Sequence, residues 1–71
     1  MEEIVIVSPT IQLDQFLKWA GIVESGGQVK LFIEDGLIKV NGIQVHERRK
    51  KIQPGDIVEI KDMGQWKVTA E

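Results

Sequence analysis

The hydrophobic pattern near the start of the chain changes from a strand-like run to a helical period. Residues Glu3–Val7 (EIVIV) are apolar and rich in β-branched side chains, and a Ser-Pro pair interrupts them, so this run predicts a strand. Apolar residues then recur at helical spacing, with Thr10 as the expected N-cap and Gly21 as the expected stop. The apolar face of this first helix comprises Leu13, Phe16, Leu17 and Ala20. Asp14 is expected near the positive end of the helix dipole, pointing away from that face.

A second helix is predicted to begin near residue 25. The segment SGGQ (Ser25–Gln28) matches the capping-box pattern, in which Ser or Thr is followed three residues later by Glu or Gln. Gly36 is the expected end of this helix. Its apolar face comprises Val29, Phe32 and Ile33. Leu31 falls on the polar side of this helix, and Trp19 falls off the apolar face of the first. Trp19 therefore either covers the edge of the core or stacks on a base.

The second half of the chain reads as short strands joined by turns. In LIKVNGIQV (37–45), two β-branched runs flank Asn41-Gly42, a pair that favours a type I′ hairpin turn. QPGD (53–56) predicts a turn before the strand DIVEI (56–60), and residues 61–65 are expected to turn into a last strand, WKVT, with Trp66 packed on the core. The order β-α-α-β-β-β-β predicts one small α+β domain over residues 1–71, with two helices packed on an antiparallel or mixed sheet.

The composition is that of an ordinary soluble domain. The 71 residues are 42% hydrophobic and 28% charged, carry a net charge of −2 and contain no Cys, which excludes disulfides and thiolate metal sites. The start of the chain is acidic where a signal peptide is basic, and no apolar run is long enough to span a bilayer. We therefore expect a cytoplasmic protein without a membrane partner.

The charges are unevenly distributed along the chain. Residues 1–27 carry −3, residues 28–51 carry +3 and residues 52–71 carry −2. The basic middle includes four consecutive cations, Arg48–Lys51. Because salt screening limits the reach of a charge to about 8–10 Å, such a patch can attract a polyanion although the whole chain is mildly acidic.

Residues with catalytic chemistry are scarce. His46 is the only His, Cys and Tyr are absent, and a single His does not supply the His-pair spacings of common metal sites. We interpret His46 as a surface residue. The adjacent acids Glu34 and Asp35 would point about 100° apart on a helix, which is typical of a solvated helix end. The sequence therefore predicts no enzymatic activity, no cofactor and no metal.

The start of the second helix is a candidate anion site. Helix N-termini present free N–H groups and a partial positive charge, and Gly26 and Gly27 would let a phosphate approach the backbone closely. Lys30 lies one turn further along, off the apolar face. The segment lacks the Gly-Lys-Ser/Thr ending of a P-loop, so binding of a nucleoside triphosphate is not indicated. A capped helix without a ligand is the simpler interpretation of these residues alone.

Several of these segments together resemble a known family. From Leu13 through Ile60, the chain is similar to the S-four-type RNA-binding domain, or alpha-L motif. The matching segments are LDQFLKWAG, SGGQVKLFIEDGLIKVNG, a basic stretch and IQPGDIVEI. The family-like core covers about residues 11–60, with an added N-terminal strand and C-terminal hairpin. The length, the added strand and the SGG variant look most similar to the stand-alone bacterial YaaA-type members.

The resemblance implies a module that binds structured RNA, and we expect that RNA to be ribosomal or transfer RNA. We also expect the domain to be monomeric and ribosome-associated. In the family, the first turn of the second helix and the loop between strands form one surface against the phosphate backbone. The RNA-binding residues that we expect here are Ser25, Gly26, Gly27, Lys30, Arg48, Arg49, Lys50 and Lys51. Alternation in an extended segment would separate Arg48 and Lys50 from Arg49 and Lys51. Of the four, Arg48 and Arg49 are the strongest candidates and Lys51 is the weakest.

Two positions depart from the family pattern, and three other interpretations stay open. Many members have Arg where this chain has Gly26 and Gln12. These departures, the net negative charge and the off-face Leu31 and Trp19 favour the alternative of a protein-interaction adaptor of ribosome-associated or nucleic-acid-processing machinery, with weak RNA affinity. DNA binding would use the same cations, but no segment resembles a recognition helix. A solvated basic loop without a ligand is the simplest interpretation. The composite RNA site requires the start of the second helix and the basic run to share one face.

Overall fold

The computed structural model describes residues 1–71 and shows two helices packed against a five-stranded mixed sheet. This confirms the α+β class and the arrangement predicted from the sequence. In chain order, the elements are β1 (Glu2–Ile6), β2 (Ile11–Gln12), α1 (Leu13–Trp19), α2 (Gly26–Glu34), β3 (Ile38–Val40), β4 (Ile43–Gln44), β5 (Lys51–Ile52), β6 (Ile57–Ile60) and β7 (Gly64–Ala70). The hydrophobic pattern does not predict β2 or β5, and β1 lies one residue earlier than expected.

The main sheet has the strand order β1-β7-β6-β3-β4. Strands β3 and β4, and strands β6 and β7, form the two expected antiparallel hairpins. Strand β3 also pairs antiparallel with β6, whereas β1 pairs parallel with β7. Glu2 lies opposite Trp66 and Ile6 lies opposite Ala70, so the two ends of the chain run side by side. Strands β2 and β5 form a separate two-stranded sheet. Neither helix is long and apolar enough to span a membrane.

The core lies between the helices and the inner face of the main sheet. The apolar faces predicted for the helices supply Leu13, Phe16, Leu17 and Val29, all fully buried. Alternating strand residues supply the opposite wall: Ile6, Ile38, Val40, Val58, Ile60, Trp66 and Val68. The indole N–H of Trp66 donates to Oε1 of Glu2 at 3.2 Å. Both the packing role of Trp66 and the helix faces therefore match the sequence interpretation.

The two predicted turns of the second half are bonded to each other. Asn41 and Gly42 both have positive φ, 53° and 81°, which confirms the expected hairpin turn. The side-chain amide of Asn41 donates to Oδ1 of Asp56 at 3.0 Å, and its oxygen accepts the N–H of Ile57 at 2.9 Å. Oδ2 of Asp56 accepts the N–H of Gln53 at 3.0 Å. We refer to Asn41, Asp56 and these bonds as the turn junction.

The start of α1 differs from the sequence prediction. Thr10 is not the N-cap: Gln12 holds that position, with extended backbone and no side-chain capping bond. The reason is β2, which keeps the chain extended up to the first helical residue. Asp14 was expected to face away from the core, but it is 7% exposed, and its Oδ1 accepts the N–H of Gln15 at 2.8 Å.

The start of α2 matches the capping-box prediction only in part. Ser25 is the N-cap, but its side chain makes no capping bond. Gln28 does reach back, and its Oε1 accepts the N–H of Glu24 at 3.0 Å. Both helices end as predicted, since Gly21 and Gly36 adopt positive φ values of 74° and 70° just beyond the C-caps.

Candidate functional site

The basic run is held in place through its backbone. The N–H of Leu13 donates to the carbonyl of Lys50 at 2.8 Å, and the N–H of Asp14 donates to the carbonyl of Arg48 at 2.9 Å. These N–H groups lie in the first turn of α1, where a helix offers them no internal partner. The basic run therefore caps α1, and its cationic side chains are not needed for that contact.

The run is a turn rather than an extended segment, so the predicted alternation of its side chains is wrong. Arg48 and Arg49 form the turn, the N–H of Lys50 donates to the carbonyl of Glu47 at 3.3 Å, and Lys51 already belongs to β5. Sequence spacing alone did not reveal this bend, because β5 forms by pairing with a distant segment. We refer to residues 48–51 as the basic turn.

The guanidinium group of Arg48 lies against the first turn of α2. A Cβ atom at Gly26 would be 3.9 Å from Nη1 of Arg48, which is ordinary van der Waals contact. Arg48 is half-buried, whereas the other three cations of the basic turn are exposed. The start of α2 and part of the basic turn thus share one face, as the composite site requires.

A cleft of ≈ 340 Å³ opens beside this contact. Its lining combines two cations, an imidazole, one carboxylate and an aliphatic side chain: Lys30, Arg48, His46, Glu34 and Ile33. We call it the basic cleft. Lys30 and Arg48 come from different elements and face the same space, so an anion placed there can contact both.

A larger cleft of ≈ 580 Å³ lies between the β3–β4 hairpin and the segment that carries β5. We call it the hairpin cleft. Lys50 and Lys51 contribute its positive charge, and Val40, Ile43, Val45 and Ile52 contribute apolar surface. His46 lines both clefts and marks the boundary between them.

The eight predicted site residues fall into three groups. Lys30 and Arg48 line the basic cleft, and Gly26 lies beside the Arg48 guanidinium without lining the cleft itself. Lys50 and Lys51 line the hairpin cleft. Ser25, Gly27 and Arg49 line neither. Their binding role stays a prediction.

Sequence reasoning missed His46, Ile33 and Glu34 as parts of this site. His46 is exposed, as expected of a surface residue, but its place between the hairpin and the basic turn was a signal that it could face both clefts. Ile33 was assigned wholly to the core, and Glu34 to a solvated helix end. No three His, Asp or Glu side chains come together as metal ligands would.

The sequence profile of the S4 domain matches residues 4–69. The chain belongs to the S4 domain family. It is similar to the probable ribosome maturation protein RlbA of Bacillus subtilis (strain 168), with 40% identity over 58 residues that cover 82% of each protein. It is also similar to the small ribosomal subunit protein uS4 of Kosmotoga olearia, with 33% identity over 57 residues. That match covers 80% of this chain but only 27% of the ribosomal protein.

The segments that carry the family resemblance divide into structural and surface parts in this S4 domain. VNG and PGD meet at the turn junction, where Asn41 and Asp56 are bonded to each other and to the backbone. SGG forms the N-cap and first residues of α2, beside the Arg48 guanidinium. The guanidinium of Arg48 lies beside Gly26, the position at which many family members carry Arg. A cation therefore lies near position 26, but it comes from the basic turn and not from α2.

Proposed function

We propose that this S4 domain is a non-catalytic, cytoplasmic module that binds structured RNA as a monomer. Its RNA is ribosomal or transfer RNA, and ribosomal RNA during ribosome maturation accords best with the names of its relatives. The observation that carries the proposal is the placement of the Arg48 guanidinium beside the first turn of α2, with Lys30 in the same cleft.

The start of α2 offers hydrogen-bond donors to a phosphate. Ser25 does not cap the helix with its side chain, so the first N–H groups of α2 are left for an outside acceptor. Arg48 adds a planar pair of donors, and Lys30 adds a mobile point charge. Together these groups suit neighbouring phosphates of an RNA backbone.

The full RNA-binding set extends from the basic cleft along the basic turn. It comprises Ser25, Gly26, Gly27, Lys30, Arg48, Arg49, Lys50 and Lys51, of which Arg49 lines neither cleft and contributes its charge without a direct phosphate contact. Helical RNA is recognised mainly by its shape and its phosphates, because its major groove is too deep and narrow for side chains. A surface with cations at several points, rather than one deep pocket, fits that kind of ligand.

Filter binding to a folded ribosomal RNA fragment tests this proposal. Affinity is measured between about 50 and about 200 mM salt for the wild type, for Lys30→Ala/Arg48→Ala and for Lys61→Ala/Lys67→Ala. The second double variant removes the same charge from residues that line neither cleft. We expect the first to reduce the salt slope by roughly 1.8, about 0.9 for each lost phosphate contact. Salt-independent binding, or equal effects of the two double variants, would contradict the proposal.

The second candidate function is a protein-interaction adaptor with weak RNA affinity. Two large apolar side chains favour it, since Trp19 and Leu31 are each 60% exposed. The indole N–H of Trp19 donates to the carbonyl of Val5 at 2.9 Å, which holds the ring at the edge of the sheet. Purification of the tagged protein with and without nuclease separates the two functions: partners that survive nuclease and depend on Trp19 or Leu31 support the adaptor.

A further inference from the structure

The hairpin cleft has a chemistry that differs from that of the basic cleft. Ile43 lines the hairpin cleft and is 72% exposed, and the buried residues Val45 and Ile52 also line this cleft. Lys50 and Lys51 supply two cations from the opposite segment. A ligand that fits this lining has an apolar, flat part and a negatively charged part.

Two acidic residues, Glu47 and Asp56, balance the formal charge of the two lysines, so an anion here depends on direct contact with Lys50 and Lys51 and not on the net charge of the cleft. Asp56 is engaged in the turn junction, where its two oxygens accept hydrogen bonds from Asn41 and Gln53. Glu47, Lys50 and Lys51 are all exposed, so a phosphate can reach the two lysine side chains from solvent. The ≈ 580 Å³ volume lies within the roughly 300–1,000 Å³ of small-ligand sites.

We propose that the hairpin cleft receives one unpaired nucleotide of the RNA, with its base against Ile43 and its phosphates near Lys50 and Lys51. This inference rests on the proposed function and deepens it. The boundary residue His46 makes the two clefts adjacent, so a strand whose phosphate lies in the basic cleft can pass over His46 into the hairpin cleft. Proteins read RNA sequence at unpaired bases because these bases can leave the stack and expose their faces and edges.

Two RNA hairpins of identical stem sequence test the assignment, one fully paired and one with a single bulged 2-aminopurine. We expect the wild type to prefer the bulged RNA by roughly tenfold, which corresponds to about 1.4 kcal/mol. Ile43→Ser should abolish this preference and leave the affinity for the paired RNA unchanged. Because Ile43 is already solvent-exposed, the variant should fold. Val7→Ser, at an apolar residue that is 75% exposed and lines neither cleft, is the matched control.

The outcomes separate this inference from the function on which it rests. Equal binding of both RNAs by the wild type, or a bulge preference that survives Ile43→Ser, overturns the nucleotide site while Arg48-dependent RNA binding stands. Binding of neither RNA overturns both proposals. An Ile43-dependent contact with a protein after nuclease treatment, together with unchanged RNA binding, would assign the cleft to a peptide instead. A change in 2-aminopurine emission that occurs with the wild type and not with Ile43→Ser supports the site directly.

Discussion

The turn junction and the basic turn are held in opposite ways. In the turn junction, the side chains of Asn41 and Asp56 make the bonds that join two turns. In the basic turn, the backbone carbonyls of Arg48 and Lys50 make the bonds to α1, and the side chains face the clefts or solvent. A side-chain change should therefore affect folding at the first region and binding at the second.

This difference explains why VNG and PGD, two of the segments that carry the family resemblance, are not among the residues that we propose for binding RNA. VNG and PGD are recognisable because their side chains and positive φ values are required by the turns that they form. The basic turn needs only its carbonyls for its place in the fold. The fold does not depend on its cationic side chains, so these side chains can serve to bind a ligand.

Asn41→Ala should have the largest effect on folding. The substitution removes two side-chain hydrogen bonds, at about 0.5–1.5 kcal/mol each, and leaves Ala at a positive φ. We expect the free energy of unfolding in urea to fall by about 2–3 kcal/mol, with the affinity of the folded fraction for a fully paired RNA unchanged.

Asn41→Gly separates the two contributions. Gly accepts the φ of 53° without strain but makes neither bond, so its loss should be about 1 kcal/mol smaller than that of Asn41→Ala. Losses below about 0.5 kcal/mol for both variants would mean that the turn junction does not support the fold in the way proposed.

Arg48→Ala should weaken RNA binding and leave the stability of the fold almost unchanged. RNA affinity is expected to fall roughly tenfold near 0.1 M salt, and the salt slope by about 0.9, because one phosphate contact is lost. The free energy of unfolding should change by less than about 0.5 kcal/mol, because the carbonyl of residue 48 still caps α1.

Arg48→Lys keeps the charge and loses the planar pair of donors, so its affinity should lie between those of Arg48→Ala and the wild type. Urea unfolding and filter binding on the same preparations compare these variants with Asn41→Ala. If Arg48→Ala destabilised the fold as much as Asn41→Ala, the division between the two regions would be wrong.

The sequence predicted features whose causes are local. Asn41-Gly42 specifies its own turn, and the spacing of Leu13, Phe16 and Leu17 specifies the buried face of α1. The Thr10 cap was wrong because β2 keeps the chain extended up to Leu13. Asp14 was expected to point outward but is buried, and its N–H donates to the carbonyl of Arg48, far along the chain. Strands β2 and β5 escaped prediction for the same reason, since each is only two residues long and exists through its partner.

The candidate site followed the same rule. The sequence identified the cationic residues. It did not predict the bend that places some of them at the basic cleft and others at the hairpin cleft, because that bend depends on the pairing of β5. Lys30 and Arg48 meet because α2 packs beside the basic turn, which no spacing along the chain encodes. The expectation that these two residues share one surface came from the family resemblance.

Glu34→Gln should strengthen RNA binding, by a smaller factor than the loss expected for Arg48→Ala. Glu34 lines the basic cleft with Lys30 and Arg48 and repels a phosphate placed there. Removing one solvent-exposed charge is worth at most about 1 kcal/mol in water, so we expect affinity to rise roughly two- to threefold at low salt. Asp35→Asn is the matched control, because the neighbouring acid lies outside both clefts. Equal gains from both variants would indicate a general charge effect rather than a site.

Arg49→Ala should have the smallest effect of these substitutions, and it tests the bend directly. Arg48 and Arg49 are equivalent in charge and are neighbours in sequence, but only Arg48 lines the basic cleft. If the RNA lies across the two clefts, Arg49 acts only through its screened field, and its loss should lower affinity by roughly twofold or less. The salt slope should stay within about 0.3 of the wild-type value, against a decrease of about 0.9 for Arg48→Ala. Equal slopes for the two variants would instead place the RNA on the outer side of the turn. The docking face would then be the exposed edge of the basic turn, and the clefts would lie beside the ligand rather than beneath it.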